Sequence, residues 1–148
     1  MKLQTIFMGL LVCLYAQYSV AAEHTVHMKN SGTAGVMVFE PGLITIAPGD
    51  TVHFEPTDMG HNSESIPALI PEGAPNWKGD FSKKTSVSFD KEGVYIYQCL
   101  PHAVMGMVGV VVVGKPTNLS AIQADANALG DSFVMNKERL KGLLSQIE

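Results

Sequence analysis

Short apolar runs alternate with turn residues along the chain from His24 to Val113. The runs are rich in valine, isoleucine and aromatic residues, and Gly, Pro, Asn and Asp separate them, as is typical of β-strands. We predict seven strands, at residues 25–29, 36–40, 43–47, 51–55, 85–89, 94–98 and 107–113. This pattern predicts an all-β fold, a sandwich or a barrel, and seven or eight strands fit a sandwich of two sheets.

Regular alternation of apolar and polar residues marks two of these strands most clearly. Val52 and Phe54 alternate with polar neighbours, and so do Val87 and Phe89. Each of the two strands is therefore expected to bury one face and expose the other. Residues 48–50 read Pro-Gly-Asp and predict a tight turn, because proline presets φ and glycine permits a positive φ.

Two regions depart from the strand pattern. Residues 61–84 contain three prolines and two glycines and predict a long connection with one helical turn at residues 63–69. Long loops in small domains are often functional. Beyond Pro116, residues 119–129 and 132–147 are predicted to form helices. The second helix places five apolar residues near one face: Phe133, Leu140, Leu143, Leu144 and Ile147.

We expect these C-terminal helices to pack against the sandwich. The alternative is a loosely attached amphipathic tail, since Gly142 in the helix interior lowers helix propensity by about 1 kcal/mol relative to alanine. The length of the chain fits one core and is too short for two full domains. One domain is therefore predicted over residues 22–148, with the helices at 119–147 included in it.

The first 21 residues have the features of a secretory signal peptide. Lys2 supplies the positive end, residues 6–16 are apolar or small, and Ala21 and Ala22 offer small residues for cleavage after either one. A lipoprotein would use Cys13 and leave that cleavage site unused, so this interpretation is set aside. The apolar run is shorter than the roughly 20 residues that span a bilayer. We therefore predict export to the periplasm without a membrane anchor.

Removal of residues 1–21 takes Lys2 from the 10 basic residues and leaves 9, against 14 acidic residues, a formal net charge of −5. This balance gives no indication of nucleic-acid binding. The same cleavage removes Cys13 and leaves Cys99 as the single cysteine. A lone thiol in an exported protein requires an explanation, because such compartments favour disulfides.

The segment from Cys99 to Met107 reads Cys-Leu-Pro-His-Ala-Val-Met-Gly-Met and places a thiol, an imidazole and thioethers between two apolar strands. A thiolate, two imidazoles and a weak thioether form the ligand set of blue-copper electron-transfer centres. The second imidazole must come from elsewhere in the chain, and His61 is the best candidate. We predict one copper ion per chain, bound by His61, Cys99, His102 and Met107, in a one-electron carrier.

Each ligand has a simpler interpretation when it is taken alone. Cys99 resembles a buried inert thiol and His102 a solvated loop imidazole. Their combination with Met107, in a chain left with one cysteine, favours copper. Zinc is disfavoured because structural zinc sites gather several Cys or His ligands and catalytic ones use no thioether. Met105 is the other candidate thioether, but Met107 opens the last predicted strand, where backbone pairing would hold its sulfur, and Met105 is expected at the surface.

The remaining histidines are interpreted as solvated surface residues: His24, His27 and His53. His53 lies between the two apolar residues of its strand, so it should point away from the core. A copper oxidase or reductase would need further clustered histidines for an open second site, and these three do not form such a cluster in the sequence. We therefore predict that the protein is not an enzyme.

At these positions the sequence resembles the cupredoxins, and within them it most resembles the pseudoazurins. The ligand run Cys-x-x-His-x-x-x-x-Met is shared with plastocyanins, so this motif alone does not distinguish the two families. Other segments of the chain resemble the pseudoazurins. They are residues 38–41, 48–52, 60–66 and 70–74 and the two predicted C-terminal helices. The resemblance covers residues 22–148 and implies an eight-stranded Greek-key sandwich, copper at the four predicted ligands, and electron delivery to a periplasmic copper nitrite reductase or a similar acceptor.

By the same resemblance, Asn62 lies behind the copper site and hydrogen-bonds within it, and Met37 lies close to the ring of His102. The exposed edge of that ring is implied to lie in an apolar patch where redox partners dock transiently. The resemblance places four residues in this patch: Met37, Gly60, Pro101 and Met105. A monomer is expected.

Lysines surround this patch in pseudoazurins and steer them toward acidic partners. Here the ring is thinned, and four lysines remain for it: Lys78, Lys83, Lys84 and Lys115. A less acidic or more apolar acceptor is therefore an alternative.

Two other functions stay open at this point: a periplasmic copper chaperone or storage protein, and a metal-free interaction module.

Overall fold

The computed structural model describes residues 20–148, and the predicted signal peptide lies almost wholly outside the described residues. Eight strands form two sheets of four strands each. They are β1 (Glu23–Gly32), β2 (Gly35–Glu40), β3 (Leu43–Ile46), β4 (Asp50–Pro56), β5 (Glu64–Ser65), β6 (Thr85–Phe89), β7 (Gly93–Gln98) and β8 (Val108–Val113). All seven predicted strands are present. Strand β5 was missed because two residues are too few to show alternation.

The strand order is β2-β1-β4-β6 in the first sheet and β3-β8-β7-β5 in the second. Strands β1 and β4 pair in parallel, as do β3 and β8, whereas the other neighbours are antiparallel. A parallel pair cannot be joined by a tight hairpin, so the chain crosses between the sheets to form both pairs. The predicted two-sheet sandwich is confirmed.

The main core lies between the two sheets. Val52 and Phe54 are fully buried, as their alternation predicts, and His53 between them keeps part of its surface exposed. Two of the predicted copper ligands, Cys99 and Met107, belong to this same core and have no exposed surface. The predicted metal ligands therefore sit among packed side chains, which hold their rotamers.

Strand β8 is buried on both faces, which explains its sequence Val-Gly-Val-Val-Val-Val. Val111 and Val113 face the core between the sheets, whereas Val110 and Val112 face a second apolar cluster on the other side. Such a strand reads as a continuous apolar run rather than an alternating one. Gly109 interrupts the run because a Cβ there would lie 2.4 Å from the ring of Tyr97 on β7.

Two C-terminal helices cover the outer face of β8. They are α1 (Leu119–Ser132) and α2 (Glu138–Leu144), and neither they nor any other helix in residues 20–148 is long and apolar enough to cross a membrane. Ile122, Leu140 and Leu144 are buried against the valines of β8. The predicted docking of these helices against the sandwich is confirmed.

The predicted boundaries of the second helix, residues 132–147, are wrong. Ser132 is the last residue of α1, and residues 133–137 form a non-helical connection that we call the C-terminal link. Phe133 is extended, with φ −67° and ψ 143°, and Asn136 has φ +55°. The prediction of a helical turn at residues 63–69 is also wrong in part, because that stretch forms β5 and one 3-10 turn at Pro67–Leu69.

Candidate metal centre

His61, Cys99 and His102 meet at one point in the fold. His61 lies in the loop after β4, Cys99 follows β7, and His102 lies in a 3-10 turn, Leu100–Met105, that we call the ligand turn. The sulfur of Cys99 lies 3.6 Å from His61 Nδ1 and 3.5 Å from His102 Nδ1. The two Nδ1 atoms are 3.1 Å apart. All three predicted ligand atoms therefore face a common centre.

Met107 is held next to this centre by the backbone. Its carbonyl accepts a hydrogen bond of 3.0 Å from the Cys99 N–H, and its own N–H donates to the carbonyl of His102 at 3.3 Å. Strand β8 begins one residue later, at Val108, so the prediction that Met107 opens the strand is wrong by one residue. The expected backbone pairing is nevertheless present. Gly106 permits the tight approach, with φ +72°.

The orientation of the His61 ring is fixed by a residue that the sequence did not single out. The Oδ1 of Asn30 in β1 accepts a hydrogen bond of 3.0 Å from His61 Nε2. A proton on Nε2 leaves the lone pair of Nδ1 directed at the centre, which is the tautomer that a metal ligand needs. The backbone N–H of Asn30 in turn donates to Asp58 at 2.7 Å. The sequence feature that could have drawn attention to Asn30 is its position inside a strand, where asparagine is depleted.

Asn62 lies behind the centre, as the resemblance implies. Its Oδ1 accepts a hydrogen bond of 2.8 Å from the N–H of Leu100, the first residue of the ligand turn. Its Nδ2 donates to the carbonyl of Gly79 at 3.2 Å and to Glu64 at 3.3 Å. The side chain is fully buried. Asn62 thus links the loop that contains His61 to the segment that contains Cys99 and His102.

Burial sets the protonation of the metal-free site. It raises the pKa of the Cys99 thiol, and the backbone N–H groups of Asn62 and His102 act in the opposite direction. Burial also lowers the pKa of His61, with a further lowering from His102 and an opposing effect of Asp58. The imidazole of His61 is therefore favoured in its neutral form, which can bind a cation. The thiol must release its proton when a metal binds, which couples binding to pH.

The two histidines differ in exposure. His61 has no exposed surface, whereas His102 is partly exposed. Of the four residues expected to surround the His102 ring, Gly60 and Pro101 are exposed, and Met37 and Met105 are partly so. Other exposed apolar side chains lie on the ligand turn and in the loop before His61, and the most exposed are Met59 at 73% and Val104 at 60%. Contact of Met37 with the His102 ring stays a prediction.

The remaining histidines are less solvated than predicted. His24 Nε2 lies 2.8 Å from a carboxylate oxygen of Asp50, and His27 Nδ1 lies 3.1 Å from the hydroxyl of Thr57. The side chain of His53 is 16% exposed. These rings are partly buried because neighbouring strands and loops supply polar partners. Within residues 20–148, His61, Cys99 and His102 are the one group of His, Cys, Asp or Glu side chains that converges for metal binding.

The donor set fits copper. Metal bonds of about 2.0 Å to nitrogen and about 2.3 Å to sulfur bring the ligand atoms of one ion to separations of about 3.5 Å. The separations here are 3.1 to 3.6 Å. One thiolate and two imidazoles are the in-plane ligands of blue-copper electron-transfer sites, and a thioether is their usual weak axial ligand. Met107 is fully buried and hydrogen-bonded through its backbone to Cys99 and His102, and it would supply that thioether.

Comparison with known proteins identifies the same chemistry. Residues 26–114 match the family model of copper-binding proteins of the plastocyanin/azurin family. The chain is 44% identical to a pseudoazurin of Methylorubrum extorquens over 88% of this chain and 85% of that protein. A crystal structure of native pseudoazurin from Hyphomicrobium denitrificans superimposes with a TM-score of 0.77 and 43% identity, over 85% of this chain and 98% of that one. The refined pseudoazurin structure from Methylobacterium extorquens gives a TM-score of 0.74 at 45% identity, over 85% and 99%.

Proposed function

Because this chain belongs to the pseudoazurins, a group of blue-copper electron carriers within the plastocyanin/azurin family and not enzymes, we propose that it delivers single electrons in the periplasm to a copper nitrite reductase. One copper ion per chain would be bound by His61, Cys99, His102 and Met107, and the protein would act as a monomer. The observation that carries this proposal is the meeting of three ligand atoms within 4.8 Å of one another.

The residues around the centre hold it in one arrangement. Copper, when bound, supplies a one-electron couple between Cu(I) and Cu(II). Asn30 fixes the ring of His61, and Asn62 fixes the start of the ligand turn. Cys99 and Met107 are packed in the core with no exposed surface. Ligands held in this way rearrange little when the charge of the site changes, and this favours rapid electron transfer.

The partly exposed ring of His102 is the proposed route for the electron to the partner. It is the one converging ligand that is not fully buried, and exposed apolar side chains lie beside it in sequence on the ligand turn: Leu100, Pro101 and Val104. An apolar contact excludes water and shortens the path between the two metal sites. Transient docking at this surface is therefore part of the proposal.

We expect the reduced copper-loaded protein to be reoxidised by a copper nitrite reductase in the presence of nitrite. Val104→Asp should slow this reaction by about tenfold or more, because docking would desolvate an unpaired carboxylate. Stopped-flow absorption measures the rate. Ala124→Asp, on the exposed surface of α1, is the matched control and should react like the wild type. Equal rates for Val104→Asp and the wild type would argue against docking here, and no reoxidation would exclude this acceptor.

Salt should have little effect on this rate. Two of the four lysines available to the patch already pair with carboxylates, Lys83 with Asp80 at 3.0 Å and Lys84 with Glu55 at 3.0 Å. Residues 22–148 hold 9 basic and 14 acidic side chains. Strong steering toward an acidic partner is not expected from this charge distribution. A steep fall of the rate with ionic strength would indicate that the remaining lysines do guide docking.

The burial of the ligands disfavours the alternative of a copper chaperone. His61 and Cys99 have no exposed surface, so an acceptor protein cannot reach them without opening the fold. A chaperone presents its metal for transfer, and a shuttle retains it through many redox cycles. Retention of copper against a modest chelator would support the shuttle, whereas rapid transfer to the chelator would support the chaperone.

We further propose that export removes residues 1–21. From Ala22 onward the chain is tied to the fold, because the Ala22 N–H donates to Asp50 at 2.8 Å and its carbonyl accepts from Thr51 at 2.9 Å. A free α-ammonium group at Ala22 would keep this contact and make it charge-assisted. Protein from the periplasmic fraction should have the intact mass of residues 22–148. A mass that includes the first 21 residues would contradict the proposal.

A further inference from the structure

Arg139 in α2 donates hydrogen bonds to four backbone carbonyls. Its Nη1 lies 2.6 Å from the carbonyl oxygen of Gly106 and 2.7 Å from that of Met37. Its Nη2 lies 2.9 Å from the carbonyl oxygen of Val36 and 3.3 Å from that of Ala34. Among the described residues, no carboxylate forms an ion pair with this guanidinium. Its role is therefore to join backbone segments.

The joined segments belong to the end of the ligand turn and to β2 with the residue before it. Gly106 connects the ligand turn to Met107 and has φ +72°. Met37 in β2 packs against the core that contains Cys99 and Met107, and it has φ +50°, which is unfavourable for a side chain with a Cβ. Arg139 binds the carbonyl of each. The planar guanidinium thus supports two backbone segments with a positive φ, a conformation that few residues adopt.

The C-terminal link adds two further contacts, both to the ligand turn. The N–H of Val134 donates to the carbonyl of Val104 at 2.7 Å. The amide of Asn136 donates to the carbonyl of Met105 at 2.8 Å. Together with the bond from Arg139 to Gly106, these contacts bind three consecutive carbonyls of the chain.

The backbones of the C-terminal link and of Gly106, which caps the ligand turn, also approach closely. A Cβ placed on Gly106 would lie 3.0 Å from the carbonyl oxygen of Met135. Residues 103–106 connect His102 to Met107, and the contacts described above bind the last three of them. The C-terminal segment therefore covers the part of the chain that sets the separation of two proposed ligands.

We propose that residues 134–139 are a brace for the copper site, with Arg139 as its main positioning residue. The brace fixes the chain between His102 and Met107 and ties it to Met37 on β2. This inference rests on the ligand set proposed above. Arginine is required because its planar fork directs Nη1 at the carbonyls of Gly106 and Met37 and Nη2 at those of Val36 and Ala34, whereas a lysine ammonium is a single point.

Three variants separate this role from simple anchoring of the helix. Arg139→Lys keeps the charge and loses the fork, Arg139→Gln loses both, and Lys141→Gln removes an exposed charge from the same helix. Groups that support metal ligands typically change metal affinity by about 10- to 100-fold. We expect both Arg139 variants to keep a thiolate–copper absorption band with altered intensity and a shifted reduction potential. They should lose copper to a chelator about 10- to 100-fold faster, and Lys141→Gln should match the wild type.

A measurement on the metal-free protein makes the test independent of copper. Hydrogen exchange of the Gly106 and Met107 amides should be faster in both Arg139 variants than in the wild type and in Lys141→Gln. If the wild type binds no copper, the proposed function fails, and this exchange still tests the brace. If Arg139→Lys matches Lys141→Gln in amide exchange, absorption and copper release, the brace is overturned, even where the melting temperature falls.

Discussion

Replacement of Cys99 by alanine should abolish the visible absorption of the copper-loaded protein. The band of a blue-copper site arises from the thiolate, and Cys99 is the one cysteine in residues 20–148. Its sulfur lies 3.6 Å from His61 Nδ1 and 3.5 Å from His102 Nδ1. Loss of this ligand removes the soft donor that favours Cu(I). We therefore expect weaker copper binding as well as a colourless protein.

Visible spectroscopy with a copper titration measures both effects, and far-ultraviolet circular dichroism checks that the sandwich is retained. Met59→Ala is the matched control, because Met59 is an exposed sulfur-containing side chain two residues before His61. It should keep the band and the stoichiometry. A Cys99→Ala protein that retains an intense band would show that the thiolate is not a ligand, and the assignment of the centre would be wrong.

Leu140→Ala should cause the largest loss of stability among single truncations in the helices. Leu140 has no exposed surface and lies between α2 and the valines of β8. Truncation of a fully buried leucine to alanine removes apolar contacts and leaves a cavity, which costs about 2 to 5 kcal/mol. The free energy of unfolding, measured with urea on the metal-free protein, should fall by that amount.

Lys141→Ala, one residue further along α2 and 75% exposed, is the control for this change. Exposed truncations generally alter the free energy of unfolding by less than about 0.5 kcal/mol. A loss of less than 1 kcal/mol for Leu140→Ala would support the alternative of a loosely attached tail.

The brace proposed for Arg139 predicts in addition that Leu140→Ala weakens copper retention, since both residues lie on the same helix.

The sandwich could be predicted because its strands carry local signals. Alternation at Val52 and Phe54 and the continuous apolar run of β8 each follow from which faces are buried. The second helix was placed wrongly for a related reason. Phe133 packs under the helices and continues the apolar spacing of Leu140 and Leu144, although the backbone leaves the helix at residues 133–137. Periodicity reports burial and does not report backbone conformation.

The candidate ligands could be predicted to different degrees. Cys99, His102 and Met107 lie within one short segment, so their spacing alone indicated a site. His61 is 38 residues from Cys99 and was identified by chemistry and by resemblance.

The supporting residues Asn30 and Arg139 were not found from the sequence. Their partners are a side chain on another element and backbone carbonyls, which become neighbours only in the folded chain. An asparagine inside a strand marked Asn30 as unusual, but no local pattern in the sequence names the partner of either residue.

The most direct test of the copper centre is the visible spectrum of the wild-type protein during a titration with Cu(II), followed by reduction with ascorbate and reoxidation. We expect an intense band near the red end of the spectrum that reaches its maximum at one copper per chain. The band should bleach on reduction and return on oxidation, with the copper retained throughout. Absence of the band, or loss of the metal on reduction, would contradict the assignment of this protein as a blue-copper electron carrier.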